Sequence, residues 1–199
     1  MIDFEGVSTK LYWEVSRNID IELEATIAMW KGMSARKCYN YILLRSSDYL
    51  KLIYKIRQND ELGMEMSELE QIEALVEACF YVGKGQGDRP LKHLAEALKS
   101  EEKNEKVNKI REIWEAGEGV IIYKFFQNSS SFEASTREAI IIDFMGKHKL
   151  TNVRHGTYYG CIDSWELPKL YNMGFYYALM ILLDIQTKNQ KVFLRSDVM

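Results

Sequence analysis

Cysteine, proline and histidine are scarce in this 199-residue sequence, with three, two and three residues respectively. Cys38, Cys79 and Cys161 are far apart, odd in number and form no C-x-x-C pair, which excludes a disulfide framework and a structural zinc site. Reduced thiols in an intracellular setting, nuclear or cytoplasmic, are therefore expected. Glycine is modest at 12 residues, and neither a low-complexity tract nor a repeat period is present, so disordered and solenoid architectures lose support. The opening residues Met1 to Gly6 lack the basic and apolar regions of a signal peptide. The longest apolar run, Gly174 to Ile185, is too short and too rich in tyrosine to span a bilayer. Neither export nor a membrane partner is expected.

What is present is a large apolar fraction: 47% of residues are hydrophobic and 12% aromatic, enough for one sizeable core but not two full domains. The net charge of −3 is a poor start for a protein that binds nucleic acid, which needs clustered Lys and Arg. The average hides a pattern. Lys84, Arg89, Lys92 and His93 lie within ten residues against one acid, Asp88, and Lys147, His148, Lys149, Arg154 and His155 form a second basic stretch with no acid. Acidic residues concentrate in Asp60 to Glu77 and Glu96 to Glu118, where helical spacing puts them on solvated faces.

Apolar periodicity predicts helices over Asn18–Lys31, Ser67–Ala78, Glu105–Ala116, Ser131–Met145 and Ser164–Ile185, with a shorter one opened by Pro90 and ending near Leu98. Ser67 with Glu70, and Ser130 with Glu133, have capping-box spacing. Cys38–Leu44, Cys79–Gly83 and Val120–Phe126 are short, branched and aromatic, and read as strands. Ser46 to Met66 reads as a polar connection with some helical character, and the end of the chain as a strand or loop. Three strands among helices define an α/β (α+β) layout with a small sheet.

Several residues invite a chemical reading. Glu138 has Ala134, Ile141, Ile142 and Met145 as helical neighbours, which places a carboxylate on an apolar face. Such a charge is normally paired with a cation such as Arg137 or another basic residue, bound to a metal, or displaced to the rim of the core. The run Gly83-Lys84-Gly85-Gln86-Gly87 reads as a tight glycine turn, either a phosphate-binding loop or ordinary strand-to-helix punctuation. No Ser or Thr follows Lys84, which excludes a P-loop nucleotide hydrolase. Arg89 and His93, four residues apart, share a helix face on which one could hold a phosphate while the other moves a proton; a surface imidazole is the plain alternative for His93. Tyr41 and Tyr81 each sit in a strand with a polar tip.

Taken in order, these residues resemble the GIY-YIG nuclease pattern. Tyr41-Ile42-Leu43-Leu44, Phe80-Tyr81-Val82-Gly83-Lys84-Gly85, Arg89-Pro90 with His93-Leu94, Thr136-Arg137-Glu138-Ala139, Leu150-Thr151-Asn152 and Tyr159-Gly160 look like the nuclease domain of the ankyrin-repeat and LEM-domain endonucleases. The resemblance covers roughly residues 35 to 195. It implies a three-stranded antiparallel sheet flanked by helices, with residues 1–34 a helical extension and 35–199 the nuclease domain with its C-terminal helix. It further implies hydrolysis of DNA phosphodiester bonds, with branched or distorted DNA preferred and Mg²⁺ or Mn²⁺ held by Glu138. Tyr41, Tyr81, Arg89, His93 and Glu138 would be catalytic, and Gly83, Lys84, Lys147, Lys149, Asn152 and Arg154 would bind substrate. The first strand has Tyr39-Asn40-Tyr41 in place of Gly-Ile-Tyr; Tyr41 is assigned because it precedes Ile-Leu-Leu, with Tyr39 the other candidate. Neither ankyrin repeats nor a LEM motif is present, so the chain is an excised catalytic domain or a stand-alone relative. A non-catalytic DNA-binding or protein-interaction module is the competing class.

Overall fold

The computed structural model describes residues 37–62, 66–99 and 104–198, together with Asn18 and Ile21. The expected helix over Asn18–Lys31 lies almost wholly outside the described residues. In chain order the elements are β1 (Cys38–Arg45), α1 (Ser46–Leu62), α2 (Glu68–Ala78), β2 (Cys79–Gly85), α3 (Arg89–Leu98), α4 (Glu105–Glu115), β3 (Val120–Ser129), α5 (Ser131–Met145), α6 (Leu167–Gln186) and β4 (Val192–Phe193). The strands form one antiparallel sheet in the order β2-β1-β3-β4.

The central strand β1 is buried along almost its whole length because both of its faces are covered. Its side chains alternate between two cores, as the two-residue period of a strand demands. Ile42 and Leu44 enter the larger core with residues of α1, α2, α5 and α6, including Leu52, Leu75, Ile141 and Leu182. Tyr39, Tyr41 and Leu43 enter the smaller one with Leu94 of α3 and Ile110 and Ile113 of α4. The sheet therefore presents the β1 tyrosines on one side only, under the two short helices that follow β2.

The α+β layout holds, with a fourth strand added to the expected three. Val192 and Phe193 pair with Ile121 and Val120, and the Trp114 indole N–H donates to the Phe193 carbonyl at 3.0 Å. A two-residue strand has no period to read in a sequence. Ser46 to Leu62, expected to be mainly a connection, is a full helix: Tyr49, Leu52, Ile53 and Ile56 recur at helical spacing and are buried, while polar residues mask the stripe. The last helix starts at Leu167 rather than Ser164, since Pro168 belongs in its first turn and Gly160–Ser164 forms a separate 3₁₀ turn.

Both capping boxes form, with Ser67 and Ser130 accepting from the backbone N–H of Glu70 and Glu133 and each glutamate returning the bond. Gly146, at φ 83°, terminates α5. Cys38 and Cys79 are free and buried, and burial pushes the Cys79 thiol up to about 12, so it is inert as a nucleophile. Among the described residues no helix is long and apolar enough to cross a membrane.

The box at the start of α5 orients the helix that carries Glu138, and both Ser130 and Glu133 are buried there. Ser130→Ala is expected to cost about 1–2 kcal/mol. Urea denaturation would show this as a lower midpoint with an unchanged slope.

Candidate active site

Antiparallel pairing sets Tyr41 directly opposite Gly83. The Tyr41 ring, 1% exposed, lies across that glycine so closely that a Cβ built on Gly83 would sit 2.5 Å from Tyr41 Cζ. Gly85 is under the same constraint, since a Cβ there would lie 2.8 Å from Arg89 Cβ. Both glycines are strand residues, because β2 runs on to Gly85. The expected tight turn over Gly83–Gly87 thus reduces to Gly87, which adopts φ 54°. Gly83 and Gly85 are needed for the room they leave to neighbouring side chains.

That room brings three ring side chains together. Tyr41 Oη lies 2.8 Å from His93 Nε2, and the Tyr81 ring centre lies 6.0 Å from that of Tyr41 and 5.7 Å from that of His93. His93 is 1% exposed, so it is not a helix-surface imidazole. Its Nδ1 is 3.0 Å from Glu96 Oε2, and Lys106 Nζ lies 3.4 Å from its Nε2 and 4.7 Å from the Tyr81 ring centre. Tyr39 is engaged elsewhere. Its hydroxyl donates to the Gly87 carbonyl, while Lys124 lies 4.7 Å over its ring and donates to the same carbonyl at 3.3 Å. Tyr39 ties down the turn after β2, whereas Tyr41 joins the cluster.

Burial governs the protonation of all three rings. It raises the Tyr41 and Tyr81 phenols; the neighbouring Tyr81 oxygen and the hydrogen bond to it raise Tyr41 further, that same bond lowers Tyr81, Glu138 adds repulsion in both, and the positive charge of Arg89 opposes the rise. Arg89 itself is exposed at the start of α3. Burial also lowers the His93 imidazole, aided by Lys106 and opposed by Glu96. His93 is accordingly neutral near pH 7, with a lone pair on one ring nitrogen.

Glu138 and Lys84 meet beside this cluster, in a cleft of about 370 Å³ whose walls include Tyr81, Lys106, Asn152 and Arg154. The Lys84 backbone N–H donates to Glu138 Oε1 at 3.1 Å, and the Lys84 ammonium bonds the Ser135 hydroxyl. Among the described residues Glu138 takes its hydrogen bond from that N–H and not from Arg137, which instead donates to Ser129 Oγ at 3.0 Å and covers the Phe126 ring. Desolvation lifts the Glu138 carboxyl to about 7, against the pull of Lys84. A half-buried carboxylate with one oxygen unbonded among the described residues is a hard donor that fits Mg²⁺ or Mn²⁺, ions that keep most of their water ligands. Among the described residues no three His, Cys, Asp or Glu side chains gather to enclose an ion, so Glu138 would be the main protein ligand.

Asn152 acts on the strand itself. Its Oδ1 accepts from Val82 N–H at 3.0 Å and its Nδ2 donates to the Val82 carbonyl at 2.7 Å, while Thr151 N–H reaches the Phe80 carbonyl at 2.8 Å. Residues 151 and 152 thereby cover the outer edge of β2, which no other described strand pairs. Of the second basic stretch, Arg154 lines the cleft, Lys147 and His148 line an adjoining depression, and Lys149 is exposed outside both. His155 also lines that depression but bonds Asp143 at 2.8 Å, so the run is less free of acid than its sequence implies. Two members of the cluster, Glu96 and Lys106, lie outside the residues that the sequence pattern singles out. Glu96 carries a usable signal, three residues after His93 on one helix face, whereas Lys106 arrives on a separate helix with none.

Residues 38–199 match the family model described as the LEM-3-like GIY-YIG domain, and the chain belongs to that family of nuclease domains. Among curated proteins it is 31% identical over 163 residues to mouse ankyrin repeat and LEM domain-containing protein 1, covering 78% of this chain and 30% of that protein. The human protein of the same name is 29% identical over 177 residues, covering 85% and 28% respectively. A Caenorhabditis elegans homolog is 32% identical over 145 residues, covering 66% of this chain and 20% of its own length. The chain thus spans under a third of the length of these relatives. No solved structure matches.

Two consequences can be measured. Asn152→Ala would leave two buried backbone groups of Val82 unsatisfied and should destabilise the fold by about 2–4 kcal/mol, read from a shifted denaturation midpoint. For Glu138 the sign follows from a folded pKa of about 7 against an ordinary 4.5. Between those values the unfolded chain loses its proton first, so stability falls as pH rises through that window and stays lower above it. Glu138→Gln should therefore stabilise the fold by about 1–3 kcal/mol at pH 8 and hardly at all at pH 4, as measured by thermal or urea melts at both.

Proposed function

We propose that the chain is a metal-dependent DNA endonuclease that hydrolyses phosphodiester bonds, with residues 35–199 as the nuclease unit and 1–34 as a helical extension. The observation that carries this reading is the half-buried Glu138 carboxylate in a cleft with cationic walls, next to a tyrosine hydrogen-bonded to a neutral, buried histidine. Phosphodiester hydrolysis needs an activated water in line with the leaving oxygen, and positive charge to meet the charge that builds on the phosphate. A Mg²⁺ or Mn²⁺ ion held by Glu138 would supply Lewis-acid stabilisation of that charge.

The rest falls to the chain's own side chains. Tyr41 accepts the proton of the attacking water as its own proton passes to His93 Nε2, which answers the mismatch between a phenol and neutral pH. Tyr81 orients the water or the leaving group. Arg89 clamps a phosphate with its planar fork of donors, and Lys84 adds charge from the cleft wall. Gly83 gives Tyr41 its place, and Asn152 braces the strand that carries Tyr81. Lys147, Lys149 and Arg154 follow the DNA backbone without reading sequence. Branched or distorted DNA is the preferred substrate in this reading, supported by the family resemblance and by the depression beside the cleft, where Lys147, His148 and His155 stand with Glu105 and offer a second path for a strand.

Glu138→Ala and Arg89→Ala are expected to abolish cleavage of labelled junction DNA in Mg²⁺ or Mn²⁺ while changing DNA affinity by less than about threefold. Full activity in either variant would contradict the assignment, and tight binding without cleavage by the unmodified chain would point to a non-catalytic DNA-binding module. Neutralising Lys147, Lys149 and Arg154 together should reduce the dependence of log Kd on log salt by about three. An unchanged slope would remove these residues from the DNA path.

A further inference from the structure

We infer that Glu96 is a positioning residue of this centre, holding His93 in the one tautomer and orientation that can take a proton from Tyr41; the inference rests on the nuclease reading above. Glu96 Oε2 lies 3.0 Å from His93 Nδ1 and Tyr41 Oη lies 2.8 Å from His93 Nε2, so both ring nitrogens of a fully buried imidazole are engaged. A carboxylate can only accept, so Nδ1 carries the hydrogen and Nε2 presents its lone pair to the tyrosine. Glu96, with its side chain 30% exposed, stands at the outer end of this chain of bonds, and the Tyr41 hydroxyl at the inner end.

The charged and titratable groups around His93 come from four elements, and Glu96 is the one among them that favours a charged ring. From its own helix, Arg89 and Glu96 act on it with opposite sign; from α4 comes Lys106, from β1 Tyr41 and from β2 Tyr81. Burial, Lys106 and Arg89 all disfavour an imidazolium, and Glu96 favours it. Without that carboxylate, His93 would be a weaker base facing a phenol that burial has made harder to ionise. His93 holds Glu96 below the usual carboxylate range against the opposing pull of partial burial, so the acceptor stays charged throughout the neutral range.

Each proton has a defined path. The water oxygen's lone pair forms the new bond to phosphorus, the water proton goes to Tyr41 Oη, and the Tyr41 proton goes to His93 Nε2. The bond from phosphorus to the leaving oxygen breaks with its electron pair on that oxygen, which takes a proton from solvent, and the imidazolium later returns its proton to solvent. Glu96 neither gains nor loses a proton at any stage. It stabilises the charged ring while that ring exists.

The test uses the whole chain with Glu96→Ala, Glu96→Gln and, as a control, Glu138→Ala. Single-turnover cleavage of junction DNA is followed from acid to alkaline pH at saturating Mn²⁺, and ¹⁵N spectra of the metal-free protein report the His93 tautomer. Glu96→Ala should slow cleavage about a hundredfold with DNA affinity unchanged, and should move the acid limb of the rate profile to lower pH, because His93 loses the group that raises its basicity. Glu96→Gln keeps a hydrogen-bond acceptor but not the charge, and should lose only about tenfold while keeping the Nδ1–H tautomer. A Glu96→Ala rate within about threefold of the unmodified chain, or an acid limb and tautomer that do not move, would overturn the inference. If that occurs while Glu138→Ala is inactive, the relay fails and the nuclease reading stands; if the unmodified chain cleaves nothing, both fall together.

Discussion

The structure depends on a contact between a ring and an absent side chain. Because β1 and β2 pair with Tyr41 opposite Gly83, the Tyr41 ring can cross the neighbouring strand at the one place where no Cβ stands in its way. A sheet register is set by its hydrophobic alternation, and a slip of one residue would send Tyr41 to the other core. The alternation of Tyr39, Tyr41 and Leu43 against Ile42 and Leu44 therefore secures more than packing. It aims a hydroxyl at the first turns of α3, where His93 waits.

The second constraint is electrostatic. Protein interiors accept a carboxylate only at a cost, and the raised pKa of Glu138 expresses that cost. Lys84 relieves part of it through its ammonium charge and one backbone N–H. Lys84, Lys106 and Arg154 line the same cleft as the carboxylate, and the proposed function uses this mixture of one acid and several cations to hold a metal ion beside an anionic backbone. In a chain of net charge −3, the cleft carries three cations, Lys84, Lys106 and Arg154, against one acid, Glu138.

Much of this is legible in the residues alone. The three long strands are marked by branched and aromatic runs, both capping boxes by their four-residue signature, and the position of Glu138 by helical periodicity. What escapes has physical reasons. Strand β4 is too short to carry a period, and the described part of α1 hides four buried apolar residues, Tyr49, Leu52, Ile53 and Ile56, among polar ones. The glycines after Tyr81 look like a turn because spacing does not reveal which neighbouring ring occupies the space above a glycine. The different surroundings of Tyr41 and Tyr39 likewise need three dimensions: the two share a strand face, but one bonds His93 and the other the Gly87 carbonyl. Lys106 belongs to α4 and reaches His93 only through the packing of α4 on α3, which no local pattern encodes.

The central claim is that the cross-strand seat of Tyr41 over Gly83 assembles the proposed catalytic centre. Gly83→Ala tests it most directly, by single-turnover cleavage of junction DNA in Mn²⁺ alongside a thermal melt of the same protein. The account predicts a folded protein whose ring has been pushed off His93 and whose cleavage rate has fallen about a hundredfold. Cleavage at the unmodified rate by folded Gly83→Ala protein would contradict it.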